Sequence, residues 1–306
     1  MEDIIISVLQ RTIVAGTPLL LGTIGGIINE RSGIMNLGIE GMMALGAVSA
    51  FITTYLTGHP LLGLLVAILV GCAAALIHAF TCITLQANQV ISGLALTMLG
   101  LGVSGFWGKP YIGIPLEVKI QKFHFPLLSK IPFIGPILFY QDIFFYLSIL
   151  LGIGAWFFLM KTRPGIAVRA TGESPQAAEA QGLNPNLIRY LCVVAGGGFA
   201  GMAGAHLSIA YSKSWIEGMT SGRGWIVVAL IIFSFWNPLR AFMGAYLFGG
   251  IFVLQYLLQP LGISPNFLAM LPYLATLAAL LVSSLKGYRH MASPAALGVA
   301  YRKEER

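Results

Sequence analysis

Charge is missing from most of this chain, and where it is missing the side chains stay apolar for long stretches. Between Ser32 and Gly108 the only Asp, Glu, Lys or Arg is Glu40, and none occurs in 12–29, 143–160, 190–212, 224–239 or 241–285. A helix needs about 20 apolar residues to cross the hydrocarbon core of a bilayer, and all but one of these windows roughly reach that length. The pattern predicts an all-α polytopic membrane protein with about nine spans, at 11–28, 34–56, 61–85, 89–107, 143–160, 190–210, 224–236, 241–258 and 267–285. Boundary placement leaves a range of eight to ten. Two segments look irregular. The stretch 224–236 is short and stops at Asn237-Pro238, which reads as half of a broken helix, and 34–46 is rich in glycine for a plain span. Irregular backbone at membrane depth survives only where protein or a water-filled cavity surrounds it, and such interrupted segments point to a transport path.

Composition supports this picture. Of 306 residues, 57% are hydrophobic and 9% charged, against about 25% charged in an ordinary soluble domain. Mean hydropathy is +0.83. Lipid must therefore be the main solvent of a single membrane domain covering 1–306. The net charge of +7 sits in loops and in a basic tail, 286–306, between apolar segments. That placement orients a protein and meets anionic lipid; it does not indicate a nucleic-acid partner. Two long loops remain, 108–142 and 161–189, and with nine spans they fall on opposite sides. Putting 161–189 inside gives the inner face eleven Lys/Arg (Arg31, Lys161, Arg163, Arg169, Arg189, Arg240, Lys286, Arg289, Arg302, Lys303 and Arg306) and leaves seven outside. The expectation is an extracytoplasmic loop at 108–142, a cytoplasmic segment at 161–189, the N-terminus outside and the C-terminus in the cytoplasm. Glu2 and Asp3 make a poor signal-peptide start, so the first apolar segment is expected to stay as a span. Cys72, Cys82 and Cys192 lie within apolar segments and read as small packing residues.

Soluble-enzyme motifs are not found. Gly102 to Gly108-Lys109 has five residues between its glycines and Pro110 where a phosphate loop carries Ser or Thr. Gly196-Gly197-Gly198-Phe199-Ala200-Gly201 sits inside an apolar span, where close helix packing explains it better than a dinucleotide. Gly22…Gly26 and Gly197…Gly201 are likewise small-residue pairs that let membrane helices approach. No paired carboxylates, metal-ligand cluster or activated nucleophile appears within the spans. Any ATP that drives this protein must be bound by another chain.

The segment 163–189 is the most informative. Ser174 suits an N-cap, Pro175 the first helical position and Gly182 the residue after a helix end. Together they predict a helix of about two turns, too short to be stable alone, with Asn184-Pro185 starting the next. A short Ala-rich helix offers a compact knob for a partner's groove; the plainer reading is a solvated loop with incidental caps.

Glu30-Arg-Ser-Gly-Ile-Met-Asn36-Leu-Gly38-Ile-Glu40-Gly41-Met-Met resembles a motif near the start of the permeases of branched-chain amino acid, ribose and nucleoside ABC importers. Gly165…Arg169-Ala-Thr-Gly172-Glu173…Ala177-Ala178…Gly182 is similar to the coupling segment of the same family, and Gly222-Arg-Gly224 with Asn237-Pro238 resembles a third block. Ser234 and Arg240 stand near places where that block usually has Gly. The resemblance implies a type II ABC importer-like permease in the cell inner membrane that binds no cofactor itself. It also implies a second, different permease as partner, a cytoplasmic ATPase subunit using ATP and Mg, and an extracytoplasmic substrate-binding lipoprotein. The implied cargo is a nucleoside or a related small polar solute such as a sugar. Glu173, Ala177 and Ala178 would enter the ATPase cleft, with Arg163 and Arg169 near it and Gly172 and Gly182 in the same segment.

Within the spans, Glu40 stands out because intramembrane carboxylates are costly and face the bundle interior or water. Asn36, four residues earlier, would share its helical face. The pair reads either as a polar patch on the translocation path or as a structural contact tying this helix to a neighbour through main-chain donors. Gln86, Asn88, Gln89 and Ser92 cluster at a span junction, an inner-face turn that is also a candidate for contact with a polar solute. His78 and His206 read as satisfied interior groups. Trp107, Trp215 and Trp225 fall near span ends, where aromatic belts form, and Trp225 is retained as a candidate for stacking on a base. The competing classes are an ion-coupled secondary transporter using Glu40, a membrane-embedded enzyme with a dispersed site, and a channel.

Overall fold

A computed structural model describes residues 2–118, 120–126, 128–285 and 293–302. Its helices are α1 (Glu2–Arg31), α2 (Ile39–Thr57), α3 (Pro60–Ala79), α4 (Gln89–Gly108), α5 (Ile134–Leu138), α6 (Ile143–Lys161), α7 (Arg163–Glu173), α8 (Pro175–Ala180), α9 (Pro185–Ala205), α10 (Arg223–Phe233), α11 (Pro238–Leu258), α12 (Pro265–Leu268) and α13 (Leu271–Leu285). Local chemistry sets most of the starts. The side chains of Asn88, Asp142, Thr162, Ser174, Asn184 and Asn237 each accept a hydrogen bond from a first-turn N–H of the helix that follows. α3 and α9 each run on into a π-helical turn, Phe80–Thr84 and His206–Tyr211.

Among the described residues, seven helices are long and apolar enough to cross a bilayer: Ile4–Arg31, Ile39–Thr57, Pro60–Thr84, Gln89–Tyr111, Ile143–Lys161, Pro185–Tyr211 and Pro238–Leu261. The other two expected spans are shorter, 11 residues in α10 and 15 in the described part of α13. α10 stops early because Phe235 and Trp236 both take φ +53, after which Asn237 and Pro238 start α11 afresh. The chain is a multi-pass, all-helical membrane protein.

α1, α2 and α9 form the centre, with α3 and α4 packed on one side and α6 and α11 on the other. Glycines make the closest seams. A methyl group on Gly71 of α3 would lie 2.2 Å from the Gly197 carbonyl oxygen of α9, and one on Gly100 of α4 would lie 2.5 Å from the Gly41 Cα of α2. α2 is the most enclosed span, whereas α3, α4 and α6 keep broad apolar faces bare.

α7 and α8 lie at one end of the bundle, the near end, beside the last turn of α1. The start of α1 is at the far end, where Gln10 donates from Nε2 to the Pro136 carbonyl of α5 at 2.8 Å. Residues 112–116 are bridged there to 213–215. α7, a three-turn helix, was not anticipated from the sequence.

Candidate translocation core and coupling surface

Two stretches of non-helical backbone meet inside the bundle. After α1, residues 34–38 run without helix before α2 begins, and residues 212–222 lead from the far end down to the start of α10. Gly41 packs on Leu96, Thr97 and Gly100 of α4, which places it roughly 10–16 Å in from the start of that helix at 1.5 Å per residue. Both α2 and α10 therefore begin at membrane depth.

Glu40 joins them. Its Oε1 accepts from the Thr220 hydroxyl at 2.6 Å and the Gly222 amide at 2.9 Å, and its Oε2 accepts from the Gly224 amide at 2.5 Å. A carboxylate at a helix N-terminus meets unpaired N–H groups and the positive end of the helix dipole. At 4% exposure, Glu40 has the geometry of a tie between two helices through main-chain donors. Gly222 has φ +76 and Gly224 lies against the Glu40 backbone, with a methyl there falling 2.5 Å from the Glu40 Cα. Only glycine fits either place.

The expected Asn36–Glu40 helical face does not form. Asn36 precedes the helix, in the non-helical stretch, where its Oδ1 accepts from the Gly38 amide at 2.8 Å. That local turn, with Gly33 at φ +93, keeps 34–38 out of helix and removes the i, i+4 relation.

The span junction 85–89 is at the near end. Asn88 is exposed and caps α4 through the amides of Val90 and Ile91. Gln89 is buried, and its Oε1 accepts from the Met35 amide at 2.7 Å, fixing the entry to the non-helical stretch. Asn88 also lines an open cavity of about 590 Å³ with His78, Thr81, Ser92 and apolar neighbours. Trp225, 38% exposed, stands one residue beyond Gly224 on α10. No single described cavity gathers Asn36, Glu40, Asn88, Gln89 and Trp225. Trp215 does not anchor an interface: it is 1% exposed and wedged against Gly108 at the end of α4. His78 is satisfied by Ser92 and the Met35 carbonyl. His206 is not: neither ring nitrogen has a hydrogen-bond partner among the described residues, and Asp142 Oδ2 lies 3.9 Å from Nε2.

A second group was missed from the sequence. Above the start of α10, on the far side, lies a cavity of about 210 Å³ lined by Tyr211, Ser212, Glu217, Ser221, Arg223 and Tyr256 among others. It adjoins one of about 400 Å³ that shares Tyr211 and Tyr256 and adds Gln10, Arg11 and Lys122. The Arg223 guanidinium lies 4.7 Å from the Phe252 ring centre and 5.5 Å from that of Tyr211, within cation–π range. It also donates to the Met219 and Thr220 carbonyls. The signal was available: Arg223 begins an apolar run, and the rule that singled out Glu40 applies to it equally.

The near-end segment is built as the caps predict, with additions. Thr162 caps α7, whose buried face includes Gly165, Val168, Thr171 and Gly172; a methyl on Gly172 would lie 2.2 Å from the Arg31 carbonyl oxygen. The Ser174 hydroxyl accepts from the Ala177 amide at 3.3 Å, and Gly182, at φ +81, ends α8 with amide bonds from Gly182 and Leu183 back to Glu179 and Ala178. Arg163, Glu173, Ala177 and Gly182 are exposed, Arg169 is half-buried, and Gly172 and Ala178 are buried. Direct entry of Ala178 into a partner's cleft is therefore corrected. Its side chain packs inward and positions the helix that presents Ala177.

Full-length apolar spans around two discontinuous helices, with a capped knob at one end, define a polytopic membrane permease. The chain matches the family described as branched-chain amino acid transport system / permease component over residues 8–284 and belongs to it. It is 40% identical to a putative glucose ABC transporter permease of Haloferax volcanii, covering 97% of each chain. It is 34% identical to the guanosine ABC transporter permease protein NupQ of Bacillus subtilis, covering 98% of this chain and 97% of that one. It is 32% identical to the nucleoside ABC transporter permease protein NupC of Lactococcus lactis, covering 97% of each. No solved structure matches this chain. The protein is the permease subunit of an ABC importer, and such subunits are not themselves ATPases. The ion-coupled alternative receives no support.

Proposed function

We propose that this permease carries nucleosides into the cell, driven by ATP hydrolysis on a separate cytoplasmic subunit that docks on α8. The observation that carries the docking reading is α8 itself: six residues capped at both ends, seated on α7, with Ala177 outward. A two-turn helix is unstable alone, so its pre-formed state serves a surface that must be rigid before a partner arrives. The near end is then cytoplasmic, in keeping with the eleven-to-seven distribution of Lys/Arg. A second, homologous permease covers part of the bare apolar faces, and an extracytoplasmic lipoprotein delivers cargo to the far end. Mg and ATP belong to the ATPase.

The cargo reading draws on the cavity over α10 and on the relatives named for guanosine and nucleosides. Tyr211 and Tyr256 offer flat apolar walls, on which a base stacks with roughly 1–3 kcal/mol. Glu217, Ser212 and Arg223 offer acceptors and donors for ribose hydroxyls. A sugar is the second reading, favoured by the relative named for glucose. Affinity purification in mild detergent tests the assembly: an ATPase and a second permease should accompany the chain in stoichiometric amounts. Uptake of labelled guanosine, competed by uridine but not by glucose, tests the cargo. A chain that purifies alone contradicts the assembly, and competition by glucose only contradicts the cargo.

A further inference from the structure

Residues 293–302 lie across the near end and bond to four separate parts of the bundle. The Ala295 amide donates to Glu173 Oε2 at 3.2 Å, and the Ala296 amide donates to the Gly172 carbonyl at 2.9 Å. The Gly298 amide donates to the Gly33 carbonyl at 3.2 Å, where α1 gives way to the non-helical entry of α2. The Tyr301 hydroxyl donates to Glu179 Oε2 on α8, and its ring lies 5.9 Å from the Arg189 guanidinium of α9. At the turn between α3 and α4, Gln86 donates from Nε2 to the Tyr301 carbonyl at 3.4 Å and accepts at Oε1 from Arg302 Nε at 2.9 Å.

The segment is folded in its own right. The Leu297 and Val299 amides close turns onto Pro294 and Ala296, Gly298 takes φ +80, and Tyr301 and Ala296 are buried. Its contacts are also selective. Glu173 and Glu179 bracket α8, and the segment engages both. Two further partners, Gly33 and Gln86, sit at the points where the chain enters α2 and α4. Among the other described elements, α8 packs on α7 and on the start of α9.

We propose that 293–302 is a positioning strap for energy coupling. It fixes α8 to the entries of α2 and α4, so that displacement of α8 is delivered to the helix that carries Glu40. The proposal rests on the reading of α8 as the ATPase dock, and its test separates the two. In the purified complex, 293–302 is replaced by a Gly-Ser stretch of equal length, and Glu179→Ala, Glu179→Gln and Tyr301→Phe are made singly. Three quantities are read: ATPase recovered with the permease, basal ATP hydrolysis, and cargo moved per ATP.

The replacement should leave recovery and basal hydrolysis as in wild type and lower cargo moved per ATP by at least about tenfold, the scale of one charged hydrogen bond. Glu179→Ala and Tyr301→Phe should fall between, whereas Glu179→Gln, which keeps an acceptor for the Tyr301 hydroxyl, should stay near wild type. An unchanged ratio in the replacement overturns the strap and leaves the dock intact. Loss of ATPase recovery in the replacement overturns it too, because the segment would then be part of the dock. Failure of the wild-type chain to recover any ATPase refutes the dock itself.

Discussion

Glu40 shows how one residue type, placed where it is costly, organises a fold. Its carboxylate supplies acceptors to the Thr220 hydroxyl and to two amides at the start of α10. A buried hydrogen bond to a charged group is worth about 1.5–3 kcal/mol, and orphaned donors add their desolvation cost. Glu40→Ala should therefore cut uptake by tenfold or more while the complex still assembles, as read by uptake into cells alongside size-exclusion chromatography. Glu40→Gln should retain more activity than the alanine variant; full uptake by Glu40→Ala contradicts this role. The placement of Glu40 inside the bundle was legible because charge is so scarce around it. Its partners were not, since they lie 180 residues and more away in sequence, and two of the three are glycine amides that no composition reveals. The Asn36 reading failed for a related reason: spacing along a helix means nothing where Gly33 and Gly38 keep the chain out of helix.

At the scale of elements, caps were legible and packing was not. Ser174, Pro175, Gly182 and Asn184 act within four residues of themselves, so sequence placed α8 and the start of α9 closely, whereas Asn237-Pro238 was legible as a stop and not as the start of α11. α7 escaped notice because it owes its place to Gly165 lying on the Phe158 carbonyl and Gly172 on Arg31. The same distinction divides the docking residues. Ala177 is exposed and Ala178 is 3% exposed, so the two tryptophan substitutions should differ. Ala177→Trp should abolish cargo-stimulated ATP hydrolysis in a complex that stays folded. Ala178→Trp should lower the melting temperature of the purified permease, because overpacking a filled site costs typically 1–3 kcal/mol. Equal thermal stability of both variants would contradict this assignment of faces.

For the whole molecule, the outline of the bundle followed from charge patterning: each of the seven full-length spans among the described residues overlaps an expected window, and most run past it, by seven residues at the start of Ile4–Arg31 and five at the start of Pro185–Tyr211. The two shorter helices are where membrane depth and apolar length part company. The half-helix end at Asn237-Pro238 was visible, but the meeting of α2 and α10 at Glu40 is a tertiary fact. Sidedness is tested with cysteines. Gln181 and His59 are exposed at the near end and at the α2–α3 turn on the far end. Gln181→Cys should react with a membrane-impermeant maleimide only in inverted vesicles, and His59→Cys only in intact cells after outer barriers are opened. The reverse pattern would invert the topology and with it the ATPase dock.

The most direct measurement is transport by purified protein in liposomes. The permease pair with its ATPase and binding protein should concentrate labelled guanosine when Mg-ATP is supplied on the α8 side, and not when only a proton or sodium gradient is imposed. Accumulation by this chain alone under such a gradient, with no nucleotide present, would contradict the account.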